Sequence, residues 1–467
     1  MAAYFDHAAT AGMSAGALAA YDAAAAVLGN PSSLHANGRA ARNIVEDARE
    51  SIAADLGAHP TEIVFTSGGT EANNLAIKGI YWAQTESDPQ RRGLLVSAME
   101  HHSVLGPARW LANHGADLTV LPVTSTGQVE LPSVEERLGS RLDTTVSPTC
   151  HSAASPQGAD RRIHAPQAPP PALISVMLAS NEIGTVQPIA EIAELARAAK
   201  VPMHTDAVAA LGQIPISFTD LGVDALSVAA HKIGGPLGVG ALLVKRGMPI
   251  EPLHHGGDQE RGLRAGTINV PGVAAFAMAL SIATNHLAAN AARLSILRDQ
   301  LIQGVQSTIP TAILTGPEPN PLPQQDPPSS CARSAATKTQ DLKYRAPENV
   351  SLVPVPPSSC AVSGATKTQD LKNSGTDNRI PANASFVFPG CDPDALLFGL
   401  DNAGFAASIG AACAAGVAQA SEALLACGFS DADARSSLRF TLGRTTSAQD
   451  VTQLIQILPS IVAAASS

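Results

Sequence analysis

The chain has 467 residues, 45% hydrophobic and 15% charged, a balance that suits a globular protein with more than one packed core and excludes a disordered one. Thirty basic against forty acidic side chains leave a formal charge of -10, which opposes direct binding to nucleic acid or anionic lipid and favours a small-molecule substrate or a protein partner. No run of about 20 apolar residues occurs, and the opening MAAYFDHAAT has neither a basic nor an unbroken apolar stretch, so a cytoplasmic protein outside the membrane is expected.

In chain order, short apolar runs alternate with helical stretches from Glu62 to Lys245: EIVFTS and a helix from about Thr70, LLVSAME and a helix from Ser103, ALISVMLAS and IAEIAELARAAK, then VPMHTDAVAA, ALSVAAH and VGALLVK. That rhythm predicts an α/β fold with a mainly parallel sheet. The Gly, Ser, Thr, Asn, His and Asp that follow the runs place the chemistry along the carboxyl edge of that sheet. After Val270 an Ala- and Leu-rich run to about Ile309 reads as one long helix, and the chain closes with strand-like SSLRFTLG and a helix from about Ser447. These last elements predict a second, smaller α+β domain.

Two stretches break the pattern. PPSSCARSAATKTQDLK (327–343) recurs as PPSSCAVSGATKTQDLK (356–372), differing only at Arg333/Val362 and Ala335/Gly364. A single duplication is too isolated for a solenoid, which needs roughly three stacked repeats. A Pro-, Ser- and Ala-rich stretch from about Thr144 to Pro171 holds a weaker echo around Cys150, and both are read as mostly disordered surface insertions, with a partner-binding tag or a redox loop using Cys331 and Cys360 as the alternative.

Six cysteines (Cys150, Cys331, Cys360, Cys391, Cys413, Cys427) show no CxxC pair and no regular framework, which argues against a disulfide scaffold and a structural zinc site. A cysteine that matters here matters as a thiol. The pairs His101-His102 and His254-His255 with Asp258 lack HxH or HxxxH spacing, and adjacent side chains on a strand point apart, so no metal is expected.

Three places carry chemistry. In TSGGTEANN (Thr66 to Asn74), Gly68 and Gly69 permit close backbone approach and Thr70 adds a hydroxyl at a helix N-terminus, which makes a phosphate cup. The motif is neither a Walker A loop nor GxGxxG, and an ordinary strand-to-helix turn uses the same residues. Asp206 in HTDAVAALG and Lys232 in SVAAHKIGGPLG suit the two ends of one aromatic cofactor: a carboxylate that keeps a pyridine nitrogen protonated and an amine that forms a Schiff base. Alone, Asp206 is a helix cap and Lys232 a surface lysine; their joint placement with the cup favours the cofactor.

The motifs TSGGTEANNLAIKG, MEHHSVL, SNEIGTVQPI and SVAAHKIGGPLGVGALL, together with FDHAAT, GNPSSLH, HHGGDQERGLRAGT, GAACAAG and SSLRFTLGR, resemble in order and separation the group I (NifS/IscS-type) cysteine desulfurases of the class V aminotransferase superfamily. The resemblance covers nearly the whole chain outside the two insertions. It implies the pyridoxal-phosphate transferase fold type I, with a seven-stranded sheet in a large domain at 16–287, interrupted at about 144–171. Residues 1–15 and 288–467 would form the small domain, interrupted at about 318–379.

It also implies roles, residue by residue. Gly69, Thr70 and His231 would hold the phosphate of pyridoxal 5'-phosphate, His101 would stack on its ring and help to move protons, Asn181 would face its 3-hydroxyl side, Asp206 would pair with the ring nitrogen and Lys232 would carry the Schiff base. Asn30 and Arg439 would take the α-carboxylate of L-cysteine, for which a guanidinium fork is the natural match. Thr267 would reach the phosphate in the neighbouring subunit of a homodimer, and Cys413 would accept the sulfur as a persulfide. The products would be alanine and sulfur bound for an iron-sulfur scaffold or a tRNA-thiolating protein.

The chain departs from the pattern where members commonly place a glutamine and a serine: it has Ala209 and Ala229. Around the cysteine, Ile409, Ala411 and Ala414 replace serine and threonine. Each loss removes a hydrogen bond of about 0.5 to 1.5 kcal/mol, so weaker cofactor retention is expected. The competing readings are selenocysteine lysis or aminotransfer on the same fold, and a non-catalytic partner that has kept it.

Overall fold

The computed structural model describes residues 3–139, 169–319, 378–410 and 420–466. Cys150, Cys331, Cys360 and Cys413 lie outside these residues, as do nearly all of the two expected insertions. The last residues of both expected insertions belong to the described fold. Pro171 already opens a strand, where its missing N–H is tolerated, and Arg379 is fully buried with Nε donating to Pro317 O at 2.8 Å.

Among the described residues twelve strands follow in order: β1 Ala3–Tyr4, β2 Ile63–Thr66, β3 Gly93–Ser97, β4 Asp117–Leu121, β5 Pro171–Ser175, β6 Met203–Asp206, β7 Ala225–Ala229, β8 Gly240–Val244, β9 Ile313–Leu314, β10 Asn383–Val387, β11 Phe405–Ala406 and β12 Ser437–Thr441. Seven of them form one sheet in the order β2-β8-β7-β6-β5-β3-β4. Neighbours pair in parallel except β8, which runs antiparallel to β2 and β7. The fold is thus α/β with a mainly parallel central sheet, as the sequence implies.

Six of the seven strands are buried at every residue, because helices cover both faces; all of them but β6, MHTD, read as mainly apolar runs. Edge strand β4, DLTVL, is half exposed and mixes polar with apolar residues, so no such run marks it. Helix Ala36–Asp55 lays Ala41, Val45, Ala48 and Ile52 against the sheet, a stripe at the helical period. Truncating Ile52, which is fully buried, to Ala would cost about 2 to 5 kcal/mol.

A second core gathers around the three-stranded sheet β12-β10-β9, with Phe5, Phe386 and Phe440 packed together and Phe5 edge-on to Phe440 at 6.3 Å. The N-terminal segment belongs to it: β1 pairs with β11 in parallel, and Asp6 bridges Thr441 at the end of β12. The expected single helix after Val270 is two helices, Val270–Asn285 and Leu287–Thr308, bent by 69° at His286. Thr284 Oγ1 donates to Leu280 O at 2.6 Å just before the break, a side-chain bond that competes with the helix ladder. Among the described residues no single helix is long and apolar enough to cross a membrane.

Candidate active site

The carboxyl ends of five of the seven strands deliver the expected residues to one edge. β2 runs into the turn Ser67–Thr70, β3 into Glu100 and His101, β5 into Asn181, β6 ends on Asp206 and β7 leads to His231 and Lys232. Asp206 is buried, and both its oxygens are engaged. Oδ1 accepts from Val208 N at 2.9 Å, the turn-capping role open to any aspartate, while Oδ2 accepts from Asn73 Nδ2 at 2.7 Å.

His101 caps helix His102–Ala112: its Nδ1 accepts from Ser103 N at 3.1 Å and lies 2.7 Å from Ser103 Oγ. Burial holds the imidazole below its ordinary pKa; the Asp206 carboxylate acts against that shift, while Lys232, His102 and Arg439 add to it. Asp206, Lys232, His102 and Arg439 are therefore all close enough to the ring to act on its charge.

The glycine turn is close-packed. Gly68 sits at φ 147°, where a side chain would be strained, and a Cβ on Gly69 would lie 2.7 Å from Val208 Cγ2 and 3.7 Å from Ala229 Cβ. Thr70 is exposed at the first turn of helix Gly69–Asn74. Glu71 braces the turn, with Oε2 accepting from Ser67 N at 2.7 Å and Oε1 from Arg264 Nε at 2.9 Å. His231 Nδ1 is buried with no hydrogen-bond partner, and burial together with Lys232 pushes the imidazole down to about 4.

Lys232 Nζ donates to the carbonyls of Ala8 and, at 3.2 Å, Ala9. The N-terminal segment is laid across it by Ala11 N to His231 O at 2.9 Å and Ser14 N to Gly234 O at 2.8 Å. A cavity of about 520 Å³ opens beside the lysine, bordered by Asn181, Ala209, Tyr4 and His7.

Arg439, in the middle of β12, is 3% exposed. Its Nη2 donates to Asp6 Oδ1 at 2.8 Å and its Nη1 to Asn181 O at 3.3 Å, while its Nε is buried and has no hydrogen-bond partner. The structure thus brings Arg439 to Asn181 and close enough to His101 to act on its charge. Asn30 is exposed, and its Oδ1 accepts from Ser32 N at 2.9 Å; no described hydrogen bond takes it to Arg439. Thr267 is exposed as well, in a loop where Asp258, Glu260 and Arg261 all have positive φ.

Several functional neighbours carry no signal in the sequence. Glu100 is buried with Oε1 accepting from Met177 N at 2.6 Å and Oε2 unpartnered; burial and the nearby Asp206 raise its pKa well above the usual carboxylate value. Buried His204 is held between Ser175 Oγ and Ser227 Oγ, each at 2.9 Å, and burial drives it to about 3. Neither is separable in sequence from a strand residue. Glu182 bonds Ser421 and comes within 3.4 Å of where a Cβ on Gly410 would sit, so it touches both described ends of the segment that carries Cys413. Cys391 lies 3.1 Å from Ser466 Oγ, and burial pushes the Cys427 thiol up to about 11. Among the described residues no cluster of three or more His, Cys, Asp or Glu could hold a metal ion.

The Aminotransferase class-V family model matches residues 3–152 and 162–325. An IscS-like cysteine desulfurase of Mycobacterium tuberculosis is 40% identical over 464 residues, covering 99% of this chain and 97% of its own length. A cysteine desulfurase IscS of Methanosarcina thermophila is 34% identical, covering 93% and 85%. Among solved structures, a NifS-like protein superposes with TM-score 0.73 at 27% identity over 99% of this chain and 100% of that one, and a NifS-like protein from Rickettsia africae with 0.71 at 25% over 99% of each.

Proposed function

The chain belongs to the aminotransferase class-V family, among its IscS-like cysteine desulfurases, and on that premise we propose that it removes sulfur from L-cysteine, leaving L-alanine and a persulfide on Cys413. The observation that carries this reading is the convergence of Asp206, Lys232 and Arg439 on His101 at the carboxyl edge of the sheet. An acid, an amine and a carboxylate-binding fork around one ring are what an amino-acid reaction at an aromatic cofactor requires.

Family membership implies pyridoxal phosphate, and the residues present fit it. The buried, orphaned Nδ1 of half-buried His231 belongs to the residue next to Lys232 and would be satisfied by a phosphate oxygen. The backbone at Gly68 and Gly69 leaves room on one side only, and Asp206 is an acceptor held rigidly from both sides. Gly69, Thr70 and His231 would bind the phosphate, Asp206 the ring nitrogen, Asn181 the 3-hydroxyl side and Lys232 the aldehyde carbon. When bound, the cofactor supplies a protonated pyridine that takes up the charge left by a departing α-proton.

The chain's own residues do the rest. Arg439 offers the substrate α-carboxylate a buried guanidinium whose Nε is unsatisfied, and Asn30 would share that carboxylate once its loop approaches. Lys232, within reach of the N-terminal carbonyls, accepts the α-proton and holds it as an ammonium ion. Cys413, as thiolate, attacks the substrate sulfur; an S–S bond forms as the C–S bond breaks, the electron pair passes to carbon, and a proton returned there leaves alanine. The persulfide would pass to an iron-sulfur scaffold or a tRNA-thiolating protein.

The exposed Thr267 supports a homodimer in which this loop enters the neighbouring site. A visible spectrum of the protein with pyridoxal phosphate tests the cofactor half of the reading. An absorbance band that shifts on adding L-cysteine and is lost in Lys232→Ala is expected; no band in the wild type would overturn it in favour of a non-catalytic partner.

A further inference from the structure

A hydrogen-bonded row joins the carboxylate of Asp206 to the imidazole of His101. Asn73 Nδ2 donates to Asp206 Oδ2 at 2.7 Å and lies 2.7 Å from Ser103 Oγ; Ser103 Oγ lies 2.7 Å from His101 Nδ1. The direction of each bond is fixed by chemistry. A buried carboxylate that already takes Val208 N accepts from Asn73, so the group facing it is the amide NH2. The second hydrogen of that NH2 goes to the Ser103 oxygen. The Ser103 hydroxyl hydrogen is then left for His101 Nδ1.

Ser103 makes the same demand a second time. Its backbone N–H, which can only donate, points at His101 Nδ1 over 3.1 Å. Two donors on Nδ1 leave that nitrogen its lone pair and put the ring proton on Nε2. A proton on Nδ1 would face the Ser103 amide hydrogen inside the fold.

We infer that His101 works as a neutral ring with its proton on Nε2, presenting a hydrogen-bond donor to the reacting group, and that Ser103 and Asn73 are positioning residues that impose this form. The inference rests on the reading of His101 as a residue of the cofactor site and divides the labour there. A ring whose Nδ1 is occupied and whose Nε2 carries hydrogen has no lone pair to offer as a base, so the α-proton goes to Lys232. Among the described residues, the charged and titratable groups that act on the ring are Asp206 on the sheet edge, Lys232 after β7, His102 on its own helix and Arg439 on β12. Three of these four oppose a second proton on the ring.

The test is 15N–1H correlation spectroscopy on cofactor-loaded protein labelled in histidine, with His101 assigned by loss of its signals in His101→Asn, followed from pH 5 to 9. The wild-type ring is expected as the Nε2–H form across the range. Ser103→Ala, which keeps the backbone donor but loses the hydroxyl, should move the ring's protonation to higher pH by roughly half a unit or more, and the acid limb of turnover with it. Asn73→Ala should do the same to a smaller degree. An Nδ1–H ring, or a doubly protonated ring at the pH of full turnover, overturns the inference even with cysteine desulfuration intact. An Nε2–H ring that responds to Ser103→Ala upholds it even where L-cysteine proves not to be the substrate.

Discussion

Arg439 and Asp6 face each other across the join between β12 and the N-terminal segment, Nη2 to Oδ1 at 2.8 Å, with the guanidinium nearly out of reach of water. The pairing leaves Nε for a ligand. Asp6 is set there by the backbone: Thr441, two residues on from Arg439, takes Ala8 N on its hydroxyl at 2.8 Å and gives its own N–H to Phe5 O at 2.7 Å. Half-buried Glu182 is another carboxyl close enough for this arginine to act on. Without Asp6 the fork would be drawn toward Glu182.

Asp6→Asn should therefore raise KM for L-cysteine roughly tenfold with little change in kcat or in cofactor absorbance, because binding rather than chemistry loses its anchor. Steady-state kinetics check this. Equal KM in the two proteins would show that Asp6 does not orient the fork.

The loop from His254 to Thr267 is held by a buried ion pair. Arg49 donates to Glu260 from Nη1 at 2.9 Å and Nη2 at 2.7 Å, and Glu260 also accepts from Phe65 N at 2.8 Å. The two side chains are 5% and 1% exposed, so removing one partner strands a charge in the interior. Arg49→Ala should cost about 3 to 5 kcal/mol in urea unfolding. A loss under about 1 kcal/mol would place the pair among ordinary surface bridges.

Acid should weaken the fold through His204. Its folded pKa of about 3 lies below the unfolded value of 6.5, so its contribution is complete above 6.5 and is lost as pH falls toward 3. His231, at about 4, acts in the same sense. Asp55, raised to about 6 by burial, acts oppositely: its contribution is complete below 3.8 and is lost as pH rises through 6. Urea midpoints between pH 7 and 4.5 should fall on acidification, with a shallower fall in His204→Gln by up to about 1.4 kcal/mol per pH unit. Parallel curves for the two proteins would refute the assignment.

Much of this site is legible in the sequence, and the reason is local. Most strands of the sheet are mainly apolar runs that stop just before the residues the chemistry uses, so Gly69, His231 and Lys232 stand out where a run stops, while Asp206 closes the polar strand MHTD. What escapes is what depends on distant chain. Nothing around Asp6 announces Arg439, more than four hundred residues away, and nothing in ANN or HHS announces the Asn73–Ser103 contact. The bend at His286 has no Gly or Pro to mark it, and β4 lacks the run that marks its neighbours. Asn30, placed by resemblance beside Arg439, is held by its own turn in this structure.

The departures at Ala209 and Ala229 can be reversed. Ala229 is fully buried beside the glycine turn, and a serine hydroxyl there would face the proposed phosphate. Ala229→Ser, and Ala209→Gln at the cavity wall, should each tighten pyridoxal phosphate binding by about 0.5 to 1.5 kcal/mol, or roughly two- to tenfold. Equilibrium dialysis against the cofactor checks this, and unchanged or weaker binding in both would contradict it.

The most direct test of the central claim is a single-turnover reaction of cofactor-loaded protein with L-cysteine, in which alanine is quantified and the persulfide is located by mass spectrometry in wild type, Cys413→Ala and Cys427→Ala. One alanine per site and a persulfide on Cys413 are expected, lost in Cys413→Ala and kept in Cys427→Ala, because burial pushes the Cys427 thiol up to about 11. Sustained alanine formation in Cys413→Ala, or a persulfide on another cysteine, would contradict it.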